Sequence, residues 1–468
     1  MTATEDKAPG GFLKPFLAVS IMIPIQFITG AIFGQSAGML PQLLAPNDLI
    51  RISMDEGTWI ASIPVVGTMI SSVLCGPLAD RLGRIRMMQV SQFIIGAGFG
   101  LMAASINLSM LMSGRFLIGL GCGFSFPCLV YVGETSPSQY RSVFLSLGPL
   151  ASSVGLVYMY ILGGYLPWNI AAGFTSLICF LNFLSTFFFY ESPQWLVSKN
   201  KLEDALKSIK RVEPSENADA KLRELQDIAA IQAKNSSSFS LKLIKEPTVW
   251  KPFLMIMIMA ILQNGCGLYI VVYYTVNFMD EFHTTFDSLQ VTVALGATRL
   301  LGCVLASCLL RRFGRKSIGV VSGFTSTIVL CIIYIFLALE YRYPKFVADY
   351  TWIPVGSFVL FIITTAIGIF CLPWTMPYEM FPIRVRGMMC GMTFAFMYLI
   401  MFIYIKSYRL LMDYLGLGGM MFFFAINCFL FGVFSATILI ETHHKTLDQI
   451  EQKFSSGSYY ASDEKTPI

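Results

Sequence analysis

The sequence predicts an all-α membrane protein with twelve transmembrane helices in two pseudo-symmetric six-helix bundles and a cytoplasmic helical insert between them. Three observations carry this. The 468 residues are 55% hydrophobic and only 13% charged, with a mean hydropathy of +0.65, and a soluble surface needs more charge than that. Long apolar runs recur along the chain, each near the length of about 20 residues that crosses a bilayer as a helix. One charged pattern occurs twice in the same order, and each of its parts closes an apolar run.

The apolar runs lie at residues 14–41, 58–79, 87–106, 108–133, 142–166, 171–190, 252–279, 286–310, 318–338, 352–377, 389–411 and 418–440. The first is too long for a signal-peptide core and has no clear cleavage site, so it reads as a retained span. The third and fourth are split only by a turn near Asn107. Most of the 33 lysines and arginines fall in segments on one side when both termini are placed in the cytoplasm. This bias orients the chain, and the net charge of +5 then reports topology rather than affinity for nucleic acid. The runs divide the chain into an N-terminal bundle (1–194), a cytoplasmic helical linker (195–251), a C-terminal bundle (252–440) and a cytoplasmic tail (441–468).

In the linker, Leu202, Ala205, Leu206 and Ile209 recur at helical spacing, and Leu222, Leu225, Ile228 and Ile231 do so again after Glu213-Pro214-Ser215. Two amphipathic helices follow. An apolar stripe needs cover, which favours a latch bridging the two halves over a solvated linker. Asn235-Ser236-Ser237-Ser238 reads as a flexible link, and the tail past about residue 455 as disordered. Asn107-Leu108-Ser109 fits a glycosylation sequon in too short a loop, and Asn235 fits one on the cytosolic side. The eleven cysteines all lie in apolar segments, so no disulfide framework is expected. His283 and the pair His443-His444 have no ligand-type spacing and read as surface histidines, not a metal site.

The duplicated pattern comes next. The first half carries Asp80-Arg81-Leu82-Gly83-Arg84, then Glu134-x-x-Pro137-x-x-x-Arg141, then Glu191-Ser192-Pro193. The second carries Arg312-Phe313-Gly314-Arg315, then Glu379-x-x-Pro382-x-x-x-Arg386, then Glu441-Thr442. Gly83 permits a tight turn between spans, Asp80 and Arg84 can join helix ends by charge-assisted hydrogen bonds, and Pro137 stops a helix beside Glu134 and Arg141. Acids and bases from several helix ends then meet in one layer. That layer can serve as an intracellular gate built from Asp80, Arg84, Glu134, Arg141, Glu191, Arg315, Glu379, Arg386 and Glu441; its alternative is a set of charges that only sets topology. A duplicated membrane unit with its charges gathered on one side is the pattern of a carrier whose halves rock against each other.

These motifs, with Arg115 followed by Gly119, Gly121 and Gly123, with Pro127-x-x-x-Tyr131, with Gln194-Trp195-Leu196, with Lys316, with Pro373-Trp374-x-x-x-x-Glu379 and with His443-His444-Lys445-Thr446-Leu447, resemble the sugar porter family of the major facilitator superfamily. Animal facilitative hexose carriers and insect trehalose-type carriers are the most similar branches. The resemblance covers essentially the whole chain. Only about sixteen residues separate the first two spans, which fits organic-ion carriers of the superfamily less well, because they usually hold a large outer domain there.

The resemblance implies a midplane cavity in which amides meet sugar hydroxyls. In the seventh span the family reads Gln-Gln-x-Ser-Gly-x-Asn; here Gln263 matches, Asn264 is a shorter amide, Cys266 stands for Ser and Tyr269 for Asn. Trp374 follows Pro373 where the family's indole packs on ligand, but the preceding Gly368-Ile369-Phe370-Cys371 holds less Gly and Pro than usual, so a bend is less expected there. Ser153 takes the place of an amide in the fifth span, and Met397-Tyr398 that of an Asn-Trp pair in the eleventh. Tyr273 and Tyr274 read either as cavity aromatics or as helix packing. Arg299 sits midway along the eighth span, where the family usually has Asn. It is either a cavity-facing cation for a carbonyl, hydroxyl or anionic solute, or an arginine capping backbone carbonyls between helices. The expected substrate contacts are therefore Gln263, Asn264, Trp374, Tyr269, Ser153 and Arg299.

Proton-driven sugar porters commonly carry an acid in the first span. Here the matching stretch is Gly34-Gln35-Ser36-Ala37-Gly38, with Ser36 in that place, so the expectation is facilitated, downhill transport of a hexose or trehalose-like sugar. A non-transporting nutrient sensor, or a carrier of a polyol or organic anion, is the alternative. No nucleophile–base set, metal motif or nucleotide loop points to an enzyme. No cofactor, metal, nucleic acid or obligate protein partner is expected. The partners are a small sugar-like solute and the lipid bilayer, most simply at the plasma membrane.

Overall fold

The helices start where short-range chemistry tells them to. In this computed structural model, Ser53 and Glu56 form a reciprocal capping box at the start of a 29-residue helix, which satisfies two of the N–H groups that every helix start leaves free. Asn107 caps the next but one, accepting from the Met110 amide at 2.8 Å; the sequon asparagine is thus used as a helix cap. The structure describes residues 13–45, 50–212, 215–235, 245–281, 287–343, 350, 352–382, 385–443, 445 and 447–456. His283, His444, residues 236–238 and the tail beyond 456, on which expectations were placed, lie outside the described residues.

The chain divides into two units, Met1–Ser237 and Ser238–Ile468. The first contains α1 (Leu13–Val19), α2 (Met22–Leu44), α3 (Met54–Leu82), α4 (Arg84–Ala103), α5 (Leu108–Gly123), α6 (Pro127–Thr135), α7 (Ser138–Tyr165), α8 (Trp168–Ser185), α9 (Pro193–Ser198), α10 (Leu202–Val212) and α11 (Ser215–Asn235). The second contains α12 (Pro247–Gly265), α13 (Leu268–Tyr273), α14 (Thr275–Glu281), α15 (Ser288–Arg312), α16 (Arg315–Arg342), α17 (Trp352–Thr365), α18 (Cys371–Met380), α19 (Arg386–Lys406), α20 (Tyr408–Thr437) and α21 (Leu447–Ser456). A π-helical turn, Ala366–Phe370, joins α17 to α18.

Among the described residues ten helices are long and apolar enough to cross a membrane. The two remaining expected spans are α4, diluted by Arg84, Arg86, Gln89 and Gln92, and the seventh, which is broken. Its break falls at Gly267, whose φ is +80°, and a Cβ there would lie 2.4 Å from the Phe424 ring, so only glycine fits both the backbone and the space.

Inside the first unit α2 crosses α7 at small residues. A Cβ on Gly30 would sit 1.7 Å from the Ser152 carbonyl oxygen. Such close approach is how helices associate in lipid, where no hydrophobic drive separates tail from side chain. Val19, Ile25, Ile85, Cys128, Tyr131 and Phe144 then join α1, α2, α4, α6 and α7 in one buried cluster.

The linker's apolar stripe finds cover within this unit. Trp195, Leu196 and Val197 of α9 pack with Ala205 and Ile209 of α10 and with Ala218 and Leu225 of α11. The Arg211 guanidinium lies 4.0 Å from the Tyr190 ring centre, and the Ser208 hydroxyl donates to the Glu191 carbonyl at 2.9 Å. In the second unit the tail supplies an unforeseen helix, α21, which buries Ile450 and Phe454 and is held by Lys251 donating to the Phe454 carbonyl at 2.9 Å.

Candidate functional site: two charged clusters and a buried polar constellation

The duplicated motifs build one cluster in each unit. In the first, Arg84 opens α4. Its Nε and Nη2 donate to the two oxygens of Glu134, at 3.2 and 3.0 Å. Its Nη1 donates to the Ala79 carbonyl and to Asp80 Oδ1, both at 3.1 Å. The Glu191 carboxylate covers the start of α4, accepting the Arg84 amide at 2.8 Å and the Ile85 amide at 3.0 Å. An anion at that position satisfies free N–H groups and the positive end of the helix dipole. Ser192 donates its hydroxyl to Glu134 Oε2, and the Trp195 indole donates to the Asp80 carbonyl at 3.0 Å. Burial raises the Glu191 carboxyl above its ordinary value, opposed by the amides of Ser192, Arg84 and Ile85 and by the Arg84 charge.

The second unit repeats most of these bonds. Arg315 opens α16, and its Nε and Nη2 donate to Glu379 at 3.3 and 3.0 Å. Glu441 accepts the Arg315 and Lys316 amides at 2.9 and 3.1 Å, and Thr442 donates to Glu379 Oε2 where Ser192 serves Glu134. Arg315 Nη1 donates to the Leu310 carbonyl, five residues back, as Arg84 does to Ala79.

One partner differs. Asp80 has Arg311 as its counterpart, and the vacated place on Arg315 Nη1 is taken by His443 Nδ1 at 2.7 Å. Arginine only donates, so Nδ1 accepts and the ring proton sits on Nε2.

The two glycines of the pattern also differ. Gly83 turns the chain at φ +106°, whereas Gly314 has an ordinary φ of −65°. What they share is space: a Cβ on either would lie 2.3 Å from Glu191 Oε2 or 2.1 Å from Glu441 Oε2.

Arg141 and Arg386, expected in the same layer, do something else. Each bonds the carbonyl five residues back, Ser136 at 3.5 Å and Phe381 at 3.1 Å, where the preceding helix ends. Glu134 and Glu379 are bound by Arg84 and Arg315 instead, and Arg386 Nη2 is buried with no partner.

Of the expected substrate contacts of the second unit, Gln263, Tyr269 and Arg299 gather around Phe370, and Trp374 joins them through Tyr269. Pro373 has no N–H, so the Ile369 carbonyl four residues back loses its helical donor. Gln263 supplies one: its Nε2 bonds the Ile369 and Phe370 carbonyls, both at 3.0 Å. From the other side Ser322 accepts the Ile369 amide at 3.1 Å and donates to the Thr364 carbonyl at 2.6 Å. The run therefore holds a π turn without the extra Gly and Pro of the resembling family. Pro373 was the legible signal. Such π turns recur at functional sites.

The Gln263 amide was expected to meet ligand with both ends. Its NH2 is committed to the π turn, and only Oε1 remains, buried and without a partner. Asn264 is the same: its Nδ2 bonds Ala260 at 2.9 Å in its own helix, and its Oδ1 is buried and unpartnered. The Trp374 indole donates to the Tyr269 hydroxyl at 3.0 Å, and the ring stacks on Phe394 at 5.5 Å. Tyr274 stacks on Tyr408 at 4.1 Å, as helix packing. Ser153 lies buried in α7 of the other unit and bonds the Pro149 carbonyl at 3.0 Å.

Arg299, only 7% exposed, lays its guanidinium 4.7 Å from the centre of the Phe370 ring. Among the described residues no carboxylate and no hydrogen-bond acceptor meets it, so it does not cap backbone carbonyls there. A cation at bilayer depth costs about 3 kcal/mol on insertion scales, and an arene face returns about 0.5–2 kcal/mol. Arg115, in α5, is fully buried but otherwise provided for: Nε bonds the Ile60 carbonyl at 3.0 Å, Nη1 bonds Gln35 Oε1 at 3.0 Å, and Nη2 bonds the Ser36 hydroxyl.

Comparison with known proteins places this geometry. The family model described as "Sugar (and other) transporter" matches residues 21–454. Facilitated trehalose transporter Tret1 of Bombyx mori is 25% identical over 451 residues, covering 95% of this chain and 88% of that protein. The Tret1-2 homolog of Drosophila sechellia is 27% identical over 461 residues, covering 96% and 93%. Among solved structures, the inward-open xylose transporter XylE of E. coli superposes with a TM-score of 0.75 at 17% identity, covering 94% of this chain and 99% of that one. The XylE proton:xylose symporter bound to 6-bromo-6-deoxy-D-glucose gives 0.71 at 18%, with the same coverage. At that identity the solved structures speak for the fold.

Proposed function

The chain belongs to the sugar (and other) transporter family, and from that premise we propose that it carries a sugar-class solute across a membrane by alternating access, downhill and without proton coupling. It is a multi-pass membrane transporter, not an enzyme. The observation that carries the reading is the repetition of one charged cluster in both units, closed by Glu191 and Glu441 at the starts of α4 and α16. Each cluster ties together the ends of helices far apart in sequence, so breaking and remaking it provides a switch between two discrete packings. Asp80, Arg84, Glu134, Glu191, Arg315, Glu379 and Glu441 then form the intracellular gate, with Arg141 and Arg386 fixing the helix ends beside it. Both termini, the linker (195–251) and the tail (441–468) lie on the cytoplasmic side of the plasma membrane, as the distribution of basic residues supports.

In the C-terminal bundle the solute meets Gln263, Asn264, Tyr269, Arg299 and Trp374. The trehalose transporters among the relatives support a sugar as the solute. The absence of coupling follows from Ser36: proton-driven sugar porters commonly carry an acid in that place, and here a neutral hydroxyl accepts from Arg115. Purified protein in liposomes, offered labelled hexoses, trehalose, polyols and sugar acids, is expected to equilibrate at least one of them. An imposed pH gradient is expected to leave the final level at equilibrium. Accumulation above equilibrium would overturn the uniport reading, and no uptake of any solute would overturn transport.

A further inference from the structure

The polar constellation around Phe370 lacks two kinds of partner at once. Arg299, 7% exposed, is a donor-only cation set against an aromatic face, with no hydrogen bond among the described residues. Gln263 Oε1 and Asn264 Oδ1 are buried acceptors with no donor, and their own NH2 groups are committed to Ile369, Phe370 and Ala260, so neither amide can rotate to serve the other need. A neutral sugar would supply hydroxyl donors for the amides but no counter-charge. A simple carboxylate would supply the charge but leave the amide oxygens unmet. A planar guanidinium binds a carboxylate through two parallel hydrogen bonds, and a buried charge without a counter-charge is among the costliest things a protein holds.

We propose that Arg299, with the orphaned oxygens of Gln263 and Asn264, makes this a site for a polyhydroxylated monocarboxylate: a sugar acid whose carboxylate pairs with Arg299 and whose hydroxyls donate to the two amides. The inference rests on the transport reading and specifies its solute. The aromatic surroundings suit it. Tyr269 is oriented by the Trp374 indole, its ring centre is 6.5 Å from that of Phe370, and Phe370 and Trp374 are only half-buried, which leaves apolar surface for the C–H face of a pyranose ring. Among the departures from the resembling family's sugar site, the guanidinium of Arg299, where that family usually places an asparagine, is the one that adds a charge.

The test uses the full-length protein in liposomes, with counterflow of labelled D-glucuronate, D-glucose and trehalose at pH 7.4. Wild type is expected to exchange glucuronate at least about ten-fold faster than glucose, a difference worth about 1.4 kcal/mol, and Arg299→Asn is expected to erase or invert that ratio. Should the variant fail to fold, thermal shift of the purified wild type decides: glucuronate is expected to raise the melting temperature more than glucose or acetate at equal concentration. Exchange of glucose or trehalose with none of glucuronate, an unchanged ratio in a folded Arg299→Asn protein, or a glucuronate shift no larger than that of acetate would each overturn the proposal while leaving sugar transport intact. Failure to exchange any of the three, in protein that is folded by melting, would overturn the transport reading and this proposal with it.

Discussion

Arg115 and Arg299 occupy matching roles in sequence, each a lone cation inside a spanning helix, and the fold treats them in opposite ways. Arg115 in the first unit is fully buried and hydrogen-bonded through all three guanidinium nitrogens. Arg299 in the second unit is nearly as buried and rests on a phenyl ring. A buried cation bonded through each of its nitrogens locks its neighbours in place, whereas one with its donors spare does not. The neighbouring amides follow suit. In the first unit Gln35 and Gln92 have their oxygens occupied by Arg115 and Asn182, whereas Gln263 and Asn264 in the second keep theirs vacant. The asymmetry sets a hydrogen-bonded cation in the fourth span of the first unit against an arene-backed one in the eighth span, in the second unit.

The largest effect should come from breaking the satisfied side. Arg115→Leu strands the Ile60 carbonyl and Gln35 together, and a loss of about 2–3 kcal/mol is expected, read as a lowered melting temperature in detergent. Arg299→Asn should instead raise the same melting temperature, by the equivalent of about 1–2 kcal/mol, because the insertion cost of the cation exceeds what the arene returns. Equal losses in the two variants would erase the contrast.

The charged clusters sharpen the comparison further. The Arg84–Glu134 pair is drier, with side chains 13% and 12% exposed, than Arg315–Glu379 at 19% and 28%. Glu134→Gln is expected to cost about 2 kcal/mol and Glu379→Gln about 1 kcal/mol. The second change should alter exchange rates more than affinity for solute; unchanged rates would count against a gating role.

A smaller effect separates Asp80 from His443. His443→Asp gives Arg315 the charged partner that Arg84 already has and should raise stability by about 0.5 kcal/mol. A drop would mean that the imidazole acts through its packing.

The smallest effect is in pH. Glu191 has its carboxyl raised by burial above 4.5, so the folded state binds more protons than the unfolded one just above that pH. Stability from this group is therefore present at lower pH and is lost as pH rises through the raised value. Glu191→Gln should flatten that slope in melting temperature; an unaltered slope would assign it to another group.

Much of this was legible beforehand. Composition and run length pointed to the spans because a bilayer imposes one length on every helix that crosses it. The repeated Glu-x-x-Pro-x-x-x-Arg pattern announced the two clusters, and the acid–base pairs of Arg84 and Arg315 follow from it. Within the pattern, though, Arg141 and Arg386 hold their own helix ends, since a long side chain one turn past a break reaches the freed carbonyl before it reaches a distant acid. The amides of the seventh span were found, yet half of each was already taken. The π turn was missed because the run 366–370 contains one glycine and no proline, and the proline that frees the Ile369 carbonyl sits three residues further on.

What the sequence determined by itself was local and periodic: helix length, cap, break and the duplication, all set by neighbours a few residues apart or by the bilayer. What only the tertiary structure decided was who meets whom across a hundred residues or more: His443 in the place of an aspartate, Gln263 spent on the backbone of Phe370, Arg115 sated and Arg299 left open. Hydrogen-bond partnership between distant helices depends on where packing sets each side chain, and no spacing along the chain encodes that.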